Sequence, residues 1–150
     1  MAKSFCSLTY HIIFSTKDRE PWLTAEIRPR VHAFIGGLVK REGGVPVMIG
    51  GVADHMHILA ELRQDKAVSD AICAIKAISS GWVRDNMSRC GGFGWQTGYG
   101  AFSVSQSNVA KVSDYIVRQE EHHRRIGFQE EYLKFLRAHG VACDDVGLWR

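Results

Sequence analysis

Long hydrophobic runs are missing from this sequence of 150 residues. Apolar stretches such as Ile12–Phe14 and Ile58–Ala60 fall far short of the roughly 20 residues that a membrane helix needs. Serine, threonine and histidine interrupt the apolar residues of the first fourteen positions, so this segment is a poor secretory signal. We therefore expect a cytoplasmic protein without membrane contact.

Cysteine is scarce and carries no metal-binding pattern. The four cysteines are Cys6, Cys73, Cys90 and Cys143, and no two of them form a C-x-x-C pair. This spacing argues against a zinc ribbon and against a disulfide framework. We expect four reduced thiols.

A strong excess of one charge is also absent. Nineteen Lys and Arg face 16 Asp and Glu, for a net charge of +3. A non-specific nucleic-acid binder normally carries a basic face, so any contact with DNA or RNA must rest on a few placed residues. The chain has no G-x-x-x-x-G-K-[ST] loop, which argues against ATP use. With 45% hydrophobic residues and no biased segment, we expect a single domain over residues 1–150.

Hydrophobic periodicity predicts an α+β fold. The predicted order is β-α-β-β-α-β followed by two helices, which is the split βαβ, or ferredoxin-like, arrangement. It is an antiparallel four-stranded sheet with helices on one face and strands one and three at its centre. The predicted strands are Ser4–Ser15, Val45–Val52, His55–Leu62 and Ala101–Ser105, and the predicted helices are Ile27 to the Gly43-Gly44 pair, Val68–Val83, Ser107 or Asn108 to about Arg125, and Phe128–Ala138.

Two histidines alternate on the predicted third strand. His55 and His57 project from the same face of the strand, because side chains two positions apart point to the same side. Two imidazoles placed in this way can meet one divalent ion. The alternative is a pair of histidines on a solvated strand face, although the central position of the strand favours a built site.

A second candidate lies on the third predicted helix. Tyr115 and Gln119 are four residues apart and so occupy one helix face. A tyrosine hydroxyl is a possible nucleophile, and the amide oxygen of glutamine is a suitable ligand for Mg²⁺ or Mn²⁺. Alternatively, Tyr115 packs beside Val112 and Ile116 and Gln119 is solvated.

Taken together, these pieces resemble one family over nearly the whole chain. The segments that carry the resemblance are YHIIFSTK from Tyr10, GVADHMHIL from Gly51, WQTGYGAFSVS from Trp95, YIVRQEEHHR from Tyr115 and FQEEY from Phe128. They are similar to the single-tyrosine HUH transposases (His-hydrophobic-His) of the insertion-sequence group 200/605.

The resemblance implies a function. His55, His57 and Gln119 would bind a divalent metal, Mg²⁺ or Mn²⁺, and Tyr115 would cleave and rejoin single-stranded DNA through a 5′-phosphotyrosine intermediate. The family acts on hairpins near element ends and works as a homodimer in which the tyrosine helix of one chain completes the metal site of the other. A domesticated relative that cuts chromosomal repeat hairpins is an alternative within the same class.

Five further residues are candidates for DNA contact. Lys17 and Arg19 follow the first predicted strand, and Arg124 lies near the end of the helix that carries Tyr115. Solvated surface charge is the alternative for each of them. Trp95 in the glycine-rich loop could stack on an unpaired base, as could Tyr99, and core packing is the alternative for Trp95.

Two other classes of protein are weaker candidates. An RNA-recognition module shares the β-α-β-β-α-β order, but it needs aromatic residues where this chain has His55 and His57. A barrel hydrolase with an H-x-H zinc pair needs about 250 residues, which exceeds this chain.

Overall fold

Four antiparallel strands form the centre of the molecule. The computed structural model describes residues 3–143. The strands are β1 (Thr9–Ser15), β2 (Val45–Val52), β3 (His55–Glu61) and β4 (Gly100–Val104), in the order β2-β3-β1-β4. The predicted α+β class is confirmed, with β1 and β3 paired at the centre.

One face of the sheet is apolar. Helices α1 (Arg28–Arg41) and α2 (Val68–Asn86) pack on this face. The central strands contribute alternate side chains to it, and these are fully buried: Ile12, Phe14, Met56, Ile58 and Ala60. Alternation along β1 and β3 therefore concentrates the main hydrophobic core under α1 and α2.

The opposite face carries the C-terminal helices. Helices α3 (Val109–Val117), α4 (Gln119–His122) and α5 (Phe128–Ala138) follow β4 in the chain. Two smaller apolar clusters join them to the sheet. One contains Leu59, Val104 and Ile116, and the other contains Ile13, Phe102, Phe128, Tyr132 and Leu136. The helices that the sequence adds to the split βαβ unit thus cover its second face.

Two predicted boundaries are wrong by more than three residues. Strand β1 begins at Thr9 and not at Ser4, because β3 ends at Glu61, the residue that pairs with Thr9. The predicted single helix to about Arg125 is broken at Arg118, where ψ is 20°. The chain turns there, so that Gln119 begins α4 instead of continuing α3.

The remaining expectations concern thiols and membranes. All four cysteines are free, and Cys90 is the buried one. Within residues 3–143, no helix combines the length and apolar character needed to cross a membrane.

Candidate active site

Pairing between the central strands assembles a polar centre beneath α3–α5. Antiparallel register places Ile13 opposite His57 and Ser15 opposite His55. His55 and His57 share one face, as predicted, and both are 0% exposed. His11, two residues before Ile13 on β1, places Nε2 2.8 Å from Nδ1 of His57.

Three imidazoles direct Nε2 into this centre. His55 Nδ1 lies 2.7 Å from the Asp54 carboxylate, and His123 Nδ1 lies 2.9 Å from the carbonyl oxygen of Ile126. Since both oxygens only accept, each Nδ1 donates a hydrogen, and Nε2 carries the lone pair of the neutral ring. His57 has the same orientation, with its Nδ1 turned to His11. Outer partners of this kind fix the ring orientation in metal sites.

Side-chain oxygens of Gln119 and Glu131 lie close to the same nitrogens. Gln119 Oε1 lies 3.2 Å from His55 Nε2 and 2.9 Å from His123 Nε2. Glu131 Oε1 lies 3.0 Å from His57 Nε2 and 3.3 Å from His55 Nε2. An unprotonated ring nitrogen and a side-chain oxygen both accept hydrogen bonds. Such short distances between them therefore require a proton or a metal ion in between.

The donor set fits a divalent metal ion. Ligand atoms of His55, His57, His123 and Glu131 all lie within 4.8 Å of one another. Imidazole nitrogens with one carboxylate suit first-row divalent metals, and amide or carboxylate oxygens also suit Mg²⁺ and Mn²⁺. The centre is therefore a possible metal-binding group of histidine and glutamate.

Burial and charge set the ionisation of this centre. Burial would raise the pKa of Glu131, but hydrogen bonding to His123, His55 and His57 holds it far below its ordinary value, so the carboxylate is charged. Burial lowers the pKa of His11 to about 3, which keeps that ring neutral. The pKa of His55 is raised, because its bonds to Asp54 and Glu131 outweigh burial.

Tyr115 reaches the centre from α3. Its hydroxyl donates a hydrogen bond to Glu131 Oε2 and lies 3.0 Å from His122 Nε2. Its ring meets that of His57 edge-on, with centroids 5.8 Å apart. Burial and the Glu131 charge raise the pKa of Tyr115 well above its ordinary value, so the hydroxyl keeps its proton. The structure thus brings Tyr115 and Gln119 to the His55–His57 pair in one chain.

A glycine lets α3 approach the sheet. Gly50 on β2 pairs with His57, and a Cβ at this position would lie 2.6 Å from Ile116 Cγ2 and 2.8 Å from the Ile116 carbonyl oxygen. The shorter contact is with a side chain, and the longer one is with the backbone of α3. The absence of a side chain at Gly50 therefore allows the close approach of α3 to β2.

A cleft opens beside Tyr115. It has a volume of about 390 Å³ and carries three basic side chains, Lys111, Arg118 and Arg125. Asp114 and Glu121 also line it. Tyr115 and His122 complete the lining, so the cleft borders the tyrosine with more basic than acidic side chains.

The predicted DNA contacts lie in different surroundings. Lys17, Arg19 and Arg124 are exposed. Trp95 is buried: it packs edge-on against Phe14 and its indole N–H donates to Ser79 Oγ at 2.9 Å. Its ring lies in the core, whereas base stacking would require a ring at the surface.

Four residues of the centre are additional to those predicted from the sequence: His11, His122, His123 and Glu131. His123 follows Gln119 by four residues, so the spacing that joins Tyr115 to Gln119 could have been extended to it. Glu131 occupies a position in the buried stripe of α5, where a carboxylate is unusual. A glutamate within an otherwise apolar helix stripe is the sequence feature that points to Glu131.

Comparison with known proteins identifies the family. The family model described as IS200-like transposase matches residues 4–119. The chain belongs to the IS200-like transposase family. This assignment places it among DNA-cleaving transposases and not among RNA-recognition modules or barrel hydrolases.

Relatives and solved structures agree with this assignment. The transposase is 24% identical over 119 residues to the ISDra2 transposase TnpA of Deinococcus radiodurans, a match that covers 76% of this chain and 85% of the relative. The fold is shared with a putative transposase from Deinococcus radiodurans R1, with a TM-score of 0.63 and 22% identity over 79% of this chain and 96% of that one.

A second solved structure is similar over a longer part of the transposase. It is a REP-associated tyrosine transposase bound to a REP hairpin, with a TM-score of 0.60 and 14% identity. The match covers 96% of this chain and 93% of that chain. At this identity, the likeness concerns the fold.

Proposed function

We propose that this transposase cleaves and rejoins single-stranded DNA through a covalent bond between Tyr115 and a 5′-phosphate. One observation carries the proposal: the Tyr115 hydroxyl and the His57 imidazole both contact the carboxylate of Glu131. Only the side chain of Glu131 therefore separates a nucleophile from a group of metal-ligating atoms.

The chemistry follows from these side chains. The Tyr115 oxygen attacks phosphorus, the bond to the 3′-oxygen breaks, and the strand is left with a 3′-hydroxyl and a 5′-phosphotyrosine. The hydroxyl proton passes to solvent as the oxygen attacks, and the 3′-oxygen takes a proton from solvent, while Glu131 Oε2 accepts the hydrogen bond that orients the hydroxyl. Attack by a 3′-hydroxyl on the phosphotyrosine reverses the step and frees Tyr115, so no ATP is consumed.

We propose that His55, His57 and Gln119 hold a divalent metal, Mg²⁺ or Mn²⁺. When bound, the metal offsets the negative charge that develops on the phosphate during attack. Support comes from the position of Gln119 Oε1, 3.2 Å from His55 Nε2, and from the outward bonds that turn each Nε2 inward. His123 Nε2 adds a further nitrogen to the same centre.

The proposed substrate is single-stranded DNA with hairpins near the ends of a mobile element. Exposed Lys17, Arg19 and Arg124 are proposed phosphate contacts, and the basic cleft beside Tyr115 is a proposed path for the strand. Of the aromatic candidates, half-buried Tyr99 suits base stacking better than Trp95, since Trp95 would have to leave Phe14 and Phe93.

A second candidate function is cleavage of chromosomal repeat hairpins by a domesticated enzyme. One observation favours it. The structure of the REP-associated transposase matches 96% of this chain, whereas that of the putative Deinococcus transposase matches 79%. Cleavage assays with repeat hairpins and with element ends, both taken from the genomic flanks, separate the two functions.

The homodimer that the family resemblance implies is also a proposal. In this chain Tyr115 contacts the sheet to which its own helix is joined. If dimers exchange the tyrosine helix, Tyr115→Phe and His57→Ala chains co-purified as mixed dimers regain cleavage. If each site is built within one chain, verified mixed dimers stay inactive.

The direct test of the proposed function is a covalent adduct. The protein is incubated with end-labelled single-stranded DNA and Mg²⁺ or Mn²⁺, and we expect an adduct that resists SDS. Tyr115→Phe removes one oxygen and should abolish the adduct while DNA binding is retained. Tyr10→Phe is the matched control, because Tyr10 packs against the apolar core on the other face of β1. Equal adduct formation by Tyr115→Phe would overturn the proposal.

A further inference from the structure

Glu131 has two carboxylate oxygens with different neighbours. Oε1 faces the strand histidines, 3.0 Å from His57 Nε2 and 3.3 Å from His55 Nε2. Oε2 accepts a hydrogen bond from Tyr115 and lies 3.2 Å from Nε2 of His122 and also 3.2 Å from Nε2 of His123. One side chain therefore lies between the imidazoles and the tyrosine.

The placement of Glu131 is built into helix α5. The helix packs on the sheet through Phe128, Tyr132 and Leu136, and Glu131 lies in the same stripe at 1% exposure. A charged carboxylate is costly to bury unless it is paired or coordinates a metal. An aliphatic residue would pack there at lower cost, so packing gives no reason for a carboxylate. Adjacent Glu130 points to solvent.

The neighbouring rings leave Oε1 in the position of a ligand. His55 uses Nδ1 for Asp54, and His57 uses Nδ1 for His11, so each directs Nε2 to the same oxygen. Imidazole nitrogens and one carboxylate oxygen converging on a point form a common first-row metal site. The second oxygen is free of that role and reaches the hydroxyl on α3.

We propose that Glu131 is a protein ligand of the metal ion through Oε1, and that its Oε2 holds the Tyr115 hydroxyl beside that ion. This inference rests on the proposed function and adds a residue to it. The tyrosine and the metal group are thereby linked through α5 of the same chain. Helix α5 is then part of the active centre and not only a cover for the sheet.

Calorimetry with Mn²⁺ alone tests the ligand role without any DNA. Glu131→Gln keeps the shape of the side chain and removes its charge, and we expect Mn²⁺ affinity to fall about 10–100-fold. Glu130→Gln is the matched control and should bind Mn²⁺ like the unchanged protein. His57→Ala serves as the reference for loss of a strand ligand.

The outcomes separate this inference from the proposed function. If His57→Ala loses Mn²⁺ affinity and Glu131→Gln does not, the ligand role of Glu131 is overturned and the metal site stands. If neither variant changes affinity, the proposed metal site itself fails. Should Glu131→Gln not fold, Glu131→Asp keeps the charge but withdraws both oxygens by one methylene, and an unchanged affinity in that variant also overturns the ligand role.

Adduct formation at saturating Mn²⁺ tests the contact with Tyr115. We expect the Glu131→Gln rate to stay at least about 10-fold below that of the unchanged protein, because a carboxamide does not replace a charged acceptor for the hydroxyl. Full recovery of the rate when the metal is saturating would reduce Glu131 to a ligand alone and would overturn the second half of the proposal.

Discussion

The two faces of one sheet differ in chemistry although they share the same strands. On β3, Met56 and Ile58 point into an apolar core under α1 and α2, while His55 and His57 point into the polar centre under α3–α5. All four side chains are fully buried. Burial alone therefore does not separate the packing residues from those of the proposed metal site, whereas the partners of each side chain do.

The difference is clearest for the imidazoles. His55 and His57 have polar partners on both ring nitrogens. His32 on α1 instead has a buried Nε2 without a hydrogen-bond partner among residues 3–143. The unpaired nitrogen of His32 thus lowers the stability of the fold, whereas His55 and His57 are held by hydrogen bonds in the polar centre.

The largest expected effect comes from substitutions on the sheet face that carries His55 and His57. His55→Ala and His57→Ala should each lower single-strand cleavage by about 10²–10³-fold, the range typical of losing one preorganised electrostatic group. Hairpin binding should remain, because the proposed phosphate contacts Lys17, Arg19 and Arg124 are exposed residues outside this centre. A gel-based cleavage assay and a binding titration measure the two separately. Retained cleavage in both variants would break the contrast between the faces.

The next effect belongs to the packing face. Ile58→Ala, one position from His57, should lower the free energy of unfolding by about 2–5 kcal/mol, since it leaves a cavity in the main core. Urea denaturation measures this loss. Cleavage per folded molecule should be unchanged at low temperature, and a specific loss of cleavage would show that the two faces are not separate.

A smaller effect is expected where the tyrosine helix approaches β2. Gly50→Ala should reduce cleavage about 10–100-fold, because the new methyl group meets the Ile116 backbone and displaces Tyr115 from the centre. Gly37→Ala is the control: it lies exposed in α1, has open space around a Cβ, and should stabilise the helix by up to about 1 kcal/mol. Equal cleavage by both variants would contradict the role assigned to Gly50.

The smallest effect concerns pH and the packing side. Burial and the nearby Arg28 charge lower the pKa of His32 to about 4. The unfolded chain therefore binds a proton at His32 before the folded one does, and stability falls as pH drops from about 6.5 towards 4. We expect His32→Leu to remove about 1–2 kcal/mol of this loss, allowing for partial exposure. Identical pH profiles of unfolding would contradict this assignment.

Local pattern was sufficient for much of the fold. Strand β2 and helix α5 have the predicted bounds, Val45–Val52 and Phe128–Ala138. Alternation along β3 is enough to predict that His55 and His57 share one face. Each of these features depends on neighbours within a few residues, which is why a sequence can indicate them.

The rest of the site depends on how distant segments dock. Glu131 lies 74 residues from His57, and its contact arises only when α5 packs on the sheet. The helix break at Arg118, after which Gln119 is buried, has no glycine or proline to signal it. The sequence does not decide between core and surface for Trp95, and its contacts with Phe14 and Ser79 place it in the core.

Identification of the residue that carries the DNA tests the central claim most directly. The SDS-resistant adduct is digested with nuclease and protease, and mass spectrometry locates the peptide that bears the remaining nucleotide. We predict a phosphotyrosine at Tyr115, the tyrosine beside His57 and Glu131. A nucleotide on Tyr99 or Tyr132, or an adduct that persists unchanged in Tyr115→Phe, would contradict the account.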